Sequence, residues 1–156
     1  VGIMSWTSDP DPFDGVRVTL LNDVTVANNI AFTAQWNSEN FDTGNYHDVS
    51  VNNTRLSIGA RTGDTYWYIW AQTTWILNAT GRREMLIFRD GNTANTIGID
   101  IETAVSDAVT TLHGSTIITL QSNSYIEVNV VQNSGGDLTL RNSPYSYFGM
   151  QYLGLV

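Results

Sequence analysis

The fold of this chain is constrained above all by an alternation of apolar and polar side chains with a period of two residues. The alternation runs through residues 16–20, returns at residues 30–36 and recurs at residues 97–101. A period of two places successive side chains on opposite faces, as in a strand with one buried face. Turn signals separate these segments, notably Asn28-Asn29 and Asp90-Gly91-Asn92. We therefore expect an all-β chain, because no window of helical period competes.

Three further segments are apolar on both faces, so each of the two faces should be buried against another part of the protein. They are residues 65–71, residues 125–131 and residues 145–156. In a two-sheet sandwich the opposite sheet provides the first cover, and a loop or another subunit provides the second. The pattern predicts a two-sheet antiparallel jelly-roll sandwich of about ten strands. One set of aromatic side chains in the first segment should face the core, and the other set should face a subunit boundary.

The composition excludes several classes of function. The chain has 156 residues and a formal net charge of -8, and its 7 cationic residues are all arginine, because there is no lysine. Nucleic-acid binders need clustered Lys and Arg to displace counterions, so we expect no nucleic-acid partner. The absence of cysteine excludes disulfides, thiolate metal sites and a cysteine nucleophile. No apolar run approaches the ~18 residues of a membrane span, so no membrane insertion is expected.

The low charge also bears on subunit contacts. Charged residues make up 14% of the chain, whereas roughly 25% is usual in soluble domains. Monomeric β proteins commonly protect sheet edges with charges, especially Lys. We therefore expect much of the apolar surface to lie at subunit boundaries, with Asn- and Thr-rich loops as the true exterior.

The first fifteen residues differ from the rest. The run Asp9-Pro10-Asp11-Pro12 forbids a helix and favours an extended path. We predict an extended arm over residues 1–15 and a globular domain over residues 16–156. The apolar side chains of the arm are candidates for docking on a partner, namely Ile3, Met4, Trp6 and Phe13.

The same arm carries acidic residues that resemble a calcium loop only superficially. Asp9, Asp11 and Asp14 offer hard oxygen ligands. However, the two prolines prevent a tight loop and no bidentate Glu follows. A solvated acidic linker without a bound metal is the expected reading.

From Arg17 to the end, a series of short motifs follows in a characteristic order. Each motif is short, but together they span nearly 140 residues: Phe41-Asp42-Thr43-Gly44, Tyr46-His47-Asp48, Asn53-Thr54-Arg55-Leu56, Tyr66-Trp67-Tyr68-Ile69, Asn78-Ala79-Thr80-Gly81-Arg82-Arg83, Ile87-Phe88-Arg89-Asp90-Gly91, Tyr125-Ile126-Glu127-Val128, Gln132-Asn133-Ser134-Gly135-Gly136 and a closing strand with Phe148. The series resembles the globular head of the complement C1q and tumour-necrosis-factor superfamily, most closely the versions in bacteriophage and bacterial structural proteins. One departure is Asn123-Ser124, where that family usually turns with Gly-Asp.

The resemblance implies a ten-strand jelly roll that assembles as a homotrimer. The sheet used for assembly would contain the aromatic third strand, the Tyr125 strand and the C-terminal strand. Candidate residues of the trimer interface are Tyr66, Tyr68, Trp70, Tyr125, Tyr147 and Tyr152. The resemblance implies binding or structural work, with no enzymatic activity and no cofactor.

Three functions follow from this reading. The first is a non-enzymatic virion structural protein of a bacteriophage, located at the virion surface, which decorates or stabilises the capsid or tail through virion proteins such as the major capsid protein. The alternative is the receptor- or glycan-binding head of a phage fibre or of a bacterial surface protein, which would be extracellular or at the bacterial cell surface and bind a host glycan or protein. The remote alternative is a small polysaccharide-active enzyme.

An enzyme would need convergent acid and base groups. Glu84, Glu102 and Glu127 could in principle form paired carboxylates, but each alternates with apolar neighbours as an outward residue does. His47 and His113 have no Ser or Asp partner at a readable spacing. We therefore expect no catalytic residues, and a turn or hydrogen-bonding role for His47.

Overall fold

The structure, a computed structural model, describes residues 13–156, which form twelve β-strands and no helix. The strands are β1 (Gly15–Thr19), β2 (Val24–Val26), β3 (Phe32–Thr33), β4 (Ser38–Asp42), β5 (Arg55–Ser57), β6 (Thr65–Trp75), β7 (Arg82–Arg89), β8 (Asn92–Thr103), β9 (Thr110–Leu120), β10 (Tyr125–Gln132), β11 (Leu138–Leu140) and β12 (Tyr147–Leu155). This part of the chain accordingly holds no helix that could span a membrane.

The strands form two antiparallel sheets that enclose one core. Sheet I has seven strands in the order β2-β11-β6-β12-β1-β4, with β9 paired along the full length of β6. Sheet II has five strands in the order β3-β10-β7-β8, with β5 also paired to β10. The prediction of a two-sheet antiparallel jelly roll is confirmed.

One expectation about the sheets is wrong. The Tyr125 strand, β10, does not share a sheet with the aromatic strand β6 and the C-terminal strand β12. It pairs with β7 from Ile126 to Gln132 and therefore belongs to sheet II. An apolar pattern on both faces shows that a strand is covered twice, but it does not say which sheet the strand joins.

The core lies between the sheets and is built from alternate residues of the long strands. Trp67 and Ile69 of β6 point inward, as do Val128 and Val130 of β10. The largest fully buried apolar side chains are Trp36, Trp67, Trp75 and Phe148. Burial of such rings supplies most of the favourable free energy of a sandwich of this size.

The predicted strand over residues 30–36 is only partly regular. Its ladder is limited to β3 and the expected burial of Ile30 is wrong, since Ile30 is 59% exposed, but Ala34 and Trp36 are buried as the alternation requires. The backbone N–H of Ala34 donates to Val128, whereas that of Trp36 donates to Asn53. Because two different segments accept these hydrogen bonds, the burial pattern of a strand persists without a continuous pairing partner.

The first described residues lie at the end of the domain where β12 finishes, because Gly15 of β1 pairs with Gln151 of β12.

The turn predicted at Asp90-Gly91-Asn92 connects β7 to β8. Asp90 and Gly91 both adopt positive φ, as a type I′ turn requires.

Candidate functional site

The outward side of sheet I carries an apolar surface where β6, β9 and β12 lie side by side. We call it the aromatic face and define it by Tyr66, Tyr68, Trp70, Ile117 and Tyr147. Tyr68 lies opposite Ile117 in the β6–β9 ladder. The exposed fractions are 42% for Tyr66, 36% for Tyr68 and 62% for Ile117. Large apolar side chains are thus presented to solvent on β6, which is paired on both sides, and on its neighbour β9.

Local packing holds the rings of the aromatic face in place. Tyr68 and Trp70 stack with ring centroids 5.4 Å apart and planes 27° apart. The Trp70 indole lies against Gly149, the residue opposite it on β12, where a side chain would collide with the ring. The Tyr147 hydroxyl donates to Gln72 Oε1 at 3.0 Å, and the Arg17 guanidinium lies 4.4 Å from the Tyr147 ring centroid.

The aromatic face continues toward the β1–β4 margin through two phenylalanines. Phe13 and Phe41 pack edge to face with ring centroids 5.2 Å apart, and both are exposed. Phe13 is the one docking-arm candidate that the structure describes, since Ile3, Met4 and Trp6 lie outside residues 13–156. The described end of the predicted arm is therefore packed on the domain.

Two of the predicted interface residues lie elsewhere. Tyr125 is on sheet II, where the Arg55 guanidinium lies 4.0 Å from its ring centroid. Tyr152 faces the opposite side of β12 from Tyr147 and packs on Trp67 at 5.4 Å. Neither residue contributes to the aromatic face, whereas Tyr66, Tyr68, Trp70 and Tyr147 do.

The turn motif around His47 is organised by a single carboxylate. Asp42 accepts hydrogen bonds from the backbone N–H groups of Gly44, Tyr46 and His47 at 2.9 to 3.2 Å. The buried His47 ring places Nδ1 2.8 Å from Glu39 Oε1 and Nε2 3.3 Å from the Asn53 carbonyl. The expected hydrogen-bonding role of His47 is confirmed.

The three glutamates that an enzyme would need do not form a pair. Glu102 is next to the residue opposite Glu84 in the β7–β8 ladder, so the two side chains point to opposite faces of the sheet. Glu127 accepts from the Thr54 hydroxyl at 2.6 Å and lies 3.5 Å from Arg55. Glu84 pairs with Arg82 at 3.5 Å and lies four residues along β7 from the position opposite Glu127, roughly 13 Å away at the rise of a strand. Residues 13–156 also contain no group of three His, Asp or Glu side chains that could hold a metal ion.

The Arg82-Arg83 pair divides into an exposed and a buried residue. Arg82 is exposed and makes a surface contact with Glu84. Arg83 is fully buried and donates to the carbonyls of Asn78, Thr80 and Arg82. Burial lowers the pKa of the Arg83 guanidinium. Its hydrogen bonds stabilise the loop before β7, and the buried guanidinium is not accessible to an anionic ligand.

A cleft that the sequence did not indicate opens where β1 begins and β12 ends. At its centre the buried Tyr46 hydroxyl donates to Asp14 and accepts from Arg61 Nη2. Burial and the hydrogen bond to Asp14 raise the pKa of Tyr46. The Arg61 guanidinium also lies 5.0 Å from the Trp67 ring centroid and 4.7 Å from that of Tyr152.

Comparison with solved structures identifies the fold. Murine APRIL at pH 5.0 matches with a TM-score of 0.69 and 14% identity over 90% of this chain and 99% of that chain. Eiger TNF from S. frugiperda matches with a TM-score of 0.62 and 13% identity, over 93% and 95% of the two chains. The globular domain of the zebrafish complement 1qA protein gives 0.61 and 11%, over 92% and 99%.

Sequence comparison adds nothing to this result, since no protein-family model and no curated protein matches the chain. At identities of 11 to 14% the structural similarity bears on the fold alone. The similar structures include tumour-necrosis-factor and complement C1q domains, the two groups that the motif series resembles. Residues 13–156 therefore have the jelly-roll fold shared by tumour-necrosis-factor and complement C1q domains.

Proposed function

We propose that the protein is a non-enzymatic, homotrimeric structural protein of a bacteriophage virion that decorates or stabilises the capsid or tail. The aromatic face is the observation that supports the proposed assembly of subunits. Contiguous apolar surface on a soluble domain marks an interaction site. The centre of a protein interface is enriched in aromatic residues and depleted of charge, and Tyr66, Tyr68 and Ile117 fit that composition.

A second apolar surface supports a contact between unlike parts of two copies. Ile99 and Ile101 are exposed on β8, the edge strand of sheet II. Asp100 lies between them and accepts a hydrogen bond from the backbone N–H of His113 on β9, so a carboxylate accompanies this apolar pair. If the β8 margin of one copy meets the aromatic face of the next, the contact is heterologous, and it forms a ring when the rotation between copies closes. The family resemblance implies that three copies close it.

The absence of catalysis is supported by the separated glutamates. Glu127 is occupied by Thr54 and Arg55, so it lacks a second carboxylate with which to share acid–base work.

The virion role is supported by sequence features. The motif series resembles versions in bacteriophage and bacterial structural proteins, and apolar Ile3, Met4 and Trp6 precede the domain. In this proposal the arm docks on a virion protein such as the major capsid protein. A recognition head for a host glycan or protein is the second candidate, and the cleft at Arg61 favours it.

The test measures mass and attachment with the full chain. Light scattering should give three times the 17.3 kDa chain mass; a 17.3 kDa species would contradict the homotrimer.

Virions that lack the protein should bind the full chain and should not bind a chain without residues 1–12. A matched variant with Ile3, Met4 and Trp6 changed to Ser keeps the arm length and should also fail to attach. Unchanged attachment of both variants would refute the docking arm.

A further inference from the structure

The cleft at Arg61 is large enough to hold a ligand. Its volume is about 1100 Å³, and its walls include Phe13, Asp14, Tyr46, Arg61 and Leu155. Ligand sites in proteins usually occupy roughly 300–1,000 Å³ and combine apolar walls with a few convergent polar groups. This cleft has both components.

The polar groups of the cleft are held in one arrangement. The Tyr46 hydroxyl bridges the Asp14 carboxylate and Arg61 Nη2, and Nη2 lies 3.5 Å from Asp14 Oδ2. Tyr46 is only 3% exposed, whereas the Arg61 side chain is 24% exposed. Arg61 Nη1 and Nε donate to no residue within 13–156. A fixed guanidinium therefore presents donors to the cleft beside a carboxylate acceptor.

The aromatic rings below Arg61 keep that guanidinium rigid. It lies over the rings of Tyr46, Trp67 and Tyr152, with centroid distances of 5.6, 5.0 and 4.7 Å. A β-bulge between Tyr152 and Gly154 interrupts the β6–β12 register at this point. Bulges re-aim side chains next to binding sites. Preorganised donors reduce the entropy lost when a ligand binds.

The chemistry of the cleft excludes two ligand classes. An anion would meet the Asp14 carboxylate in a chain of net charge -8. A purely apolar ligand would cover Arg61 Nη1 and Nε without offering them a hydrogen-bond acceptor, which is costly.

We propose that this cleft binds a neutral saccharide. Hydroxyl groups of a sugar both donate and accept, so they can lie between the Asp14 carboxylate and the free donors of Arg61. The C–H face of the ring would contact Phe13, which is 46% exposed, and Leu155. The inference deepens the second candidate function and depends neither on virion placement nor on the number of subunits.

The experiment titrates the full chain with maltotriose, cellotriose, chitotriose and lactose, and with 3′-sialyllactose as the anionic counterpart of lactose, by calorimetry. At least one neutral probe should bind. Arg61→Met and Asp14→Asn should each weaken that binding about tenfold or more, because each removes a charge-assisted hydrogen bond. Arg141→Met is the matched control, since Arg141 also covers an aromatic ring, Tyr145, at 3.4 Å, but lies outside the cleft. Its affinity should stay within about twofold of the unmodified chain.

Three results would overturn the saccharide site. They are failure of all neutral probes to bind, binding of 3′-sialyllactose alone, and unchanged affinity in both cleft variants. If Arg61→Met does not fold, Asp14→Asn decides the matter, because it keeps the side-chain size. Light scattering on the same samples reports the subunit number separately, so a monomer that binds sugar would refute the homotrimer and leave the site intact.

Discussion

Tyr46 connects the turn motif, the core and the cleft. Its backbone N–H donates to Asp42 at 3.0 Å, and its ring packs edge to face on Trp67 with centroids 5.2 Å apart. Its hydroxyl is buried and donates to Asp14. Burial and that hydrogen bond raise the pKa of Tyr46 above its ordinary value near 10, so the folded protein holds it as a neutral donor.

Removal of this hydroxyl should change stability in a pH-dependent way. Tyr46→Phe should lower the free energy of unfolding by about 1–3 kcal/mol at pH 7, because the hydrogen bonds to Asp14 and Arg61 are lost. Because the folded-state pKa is raised, this contribution is complete below pH 10 and declines as the pH rises above 10. The chain has no lysine, so no lysine titration overlaps this pH range. Urea unfolding from pH 7 to 11 should therefore show a shallower alkaline loss for the variant.

The control for that measurement is Tyr145→Phe, which alters an exposed tyrosine whose hydroxyl makes no hydrogen bond within the described residues. It should leave both the stability at pH 7 and the alkaline decline unchanged. Equal alkaline declines for Tyr46→Phe and the unmodified chain would contradict the assignment.

Single residues were predictable where their partners are close in the sequence. His47 and Asp42 belong to one turn, and the motif series predicted a hydrogen-bonding role there. Arg61 gave no signal, because its partners Asp14 and Tyr152 come from opposite ends of the chain. Only the pairing of β1 with β12 brings those ends together.

At the scale of strands, the close contact between β6 and β12 is set by a glycine. Trp70 needs a neighbour without a side chain, and Gly149 provides it. The Val16 carbonyl of β1 approaches Gly149 from the other side. Three strands therefore meet at one position that tolerates no additional atom.

Gly149→Ala should destabilise the protein by about 1–3 kcal/mol, since overpacking forces neighbouring side chains and backbone to move. Gly136→Ala is the control, because nothing lies within 4 Å of a side chain added there. Denaturant midpoints would compare the two variants. Equal midpoints would contradict the packing argument, and recovery in the double variant with Trp70→Ala would identify Trp70 as the obstructed group.

The strand predictions succeeded where alternation coincides with a long ladder. In β6 the inward set of Trp67, Ile69 and Ala71 follows the expected alternation. Residues 30–36 show the limit, because their buried side chains depend on pairing partners from separate segments. The periodicity of a segment predicts which side chains are buried. Its backbone hydrogen bonds depend on which strand is its neighbour in the fold.

For the whole molecule, assembly should depend on an uncharged aromatic face. Tyr68→Arg combined with Ile117→Arg would bury unpaired charges at the proposed seam, and this is strongly unfavourable. Light scattering should show the mass falling from trimer to monomer. The melting temperature of the unmodified chain should rise with protein concentration, whereas that of the double variant should not.

Ile30→Arg provides the control for the assembly measurement. Ile30 is also exposed, but it lies in the loop between β2 and β3, away from β6 and β9. This variant should remain trimeric. A trimer that persists in the Tyr68→Arg, Ile117→Arg chain would show that assembly uses another surface.

The jelly-roll architecture could be predicted from the sequence, but the division of the strands between the two sheets could not. The motif order gave the jelly roll, and hydrophobicity on both faces indicated β6 and β12. The sequence did not separate β10 from them, because a core strand of sheet II also alternates apolar residues such as Ile126 and Val128 with covered ones. Sheet membership depends on long-range pairing, which leaves no local pattern.

The position of Trp70 has an optical consequence. Trp36, Trp67 and Trp75 are fully buried, so their environment is set by folding of the single chain. Trp70 lies on the aromatic face, with Tyr68 stacked beside it. Its indole emission therefore responds to the solvent at the surface of sheet I, and the protein carries a natural fluorophore at the place where copies would meet.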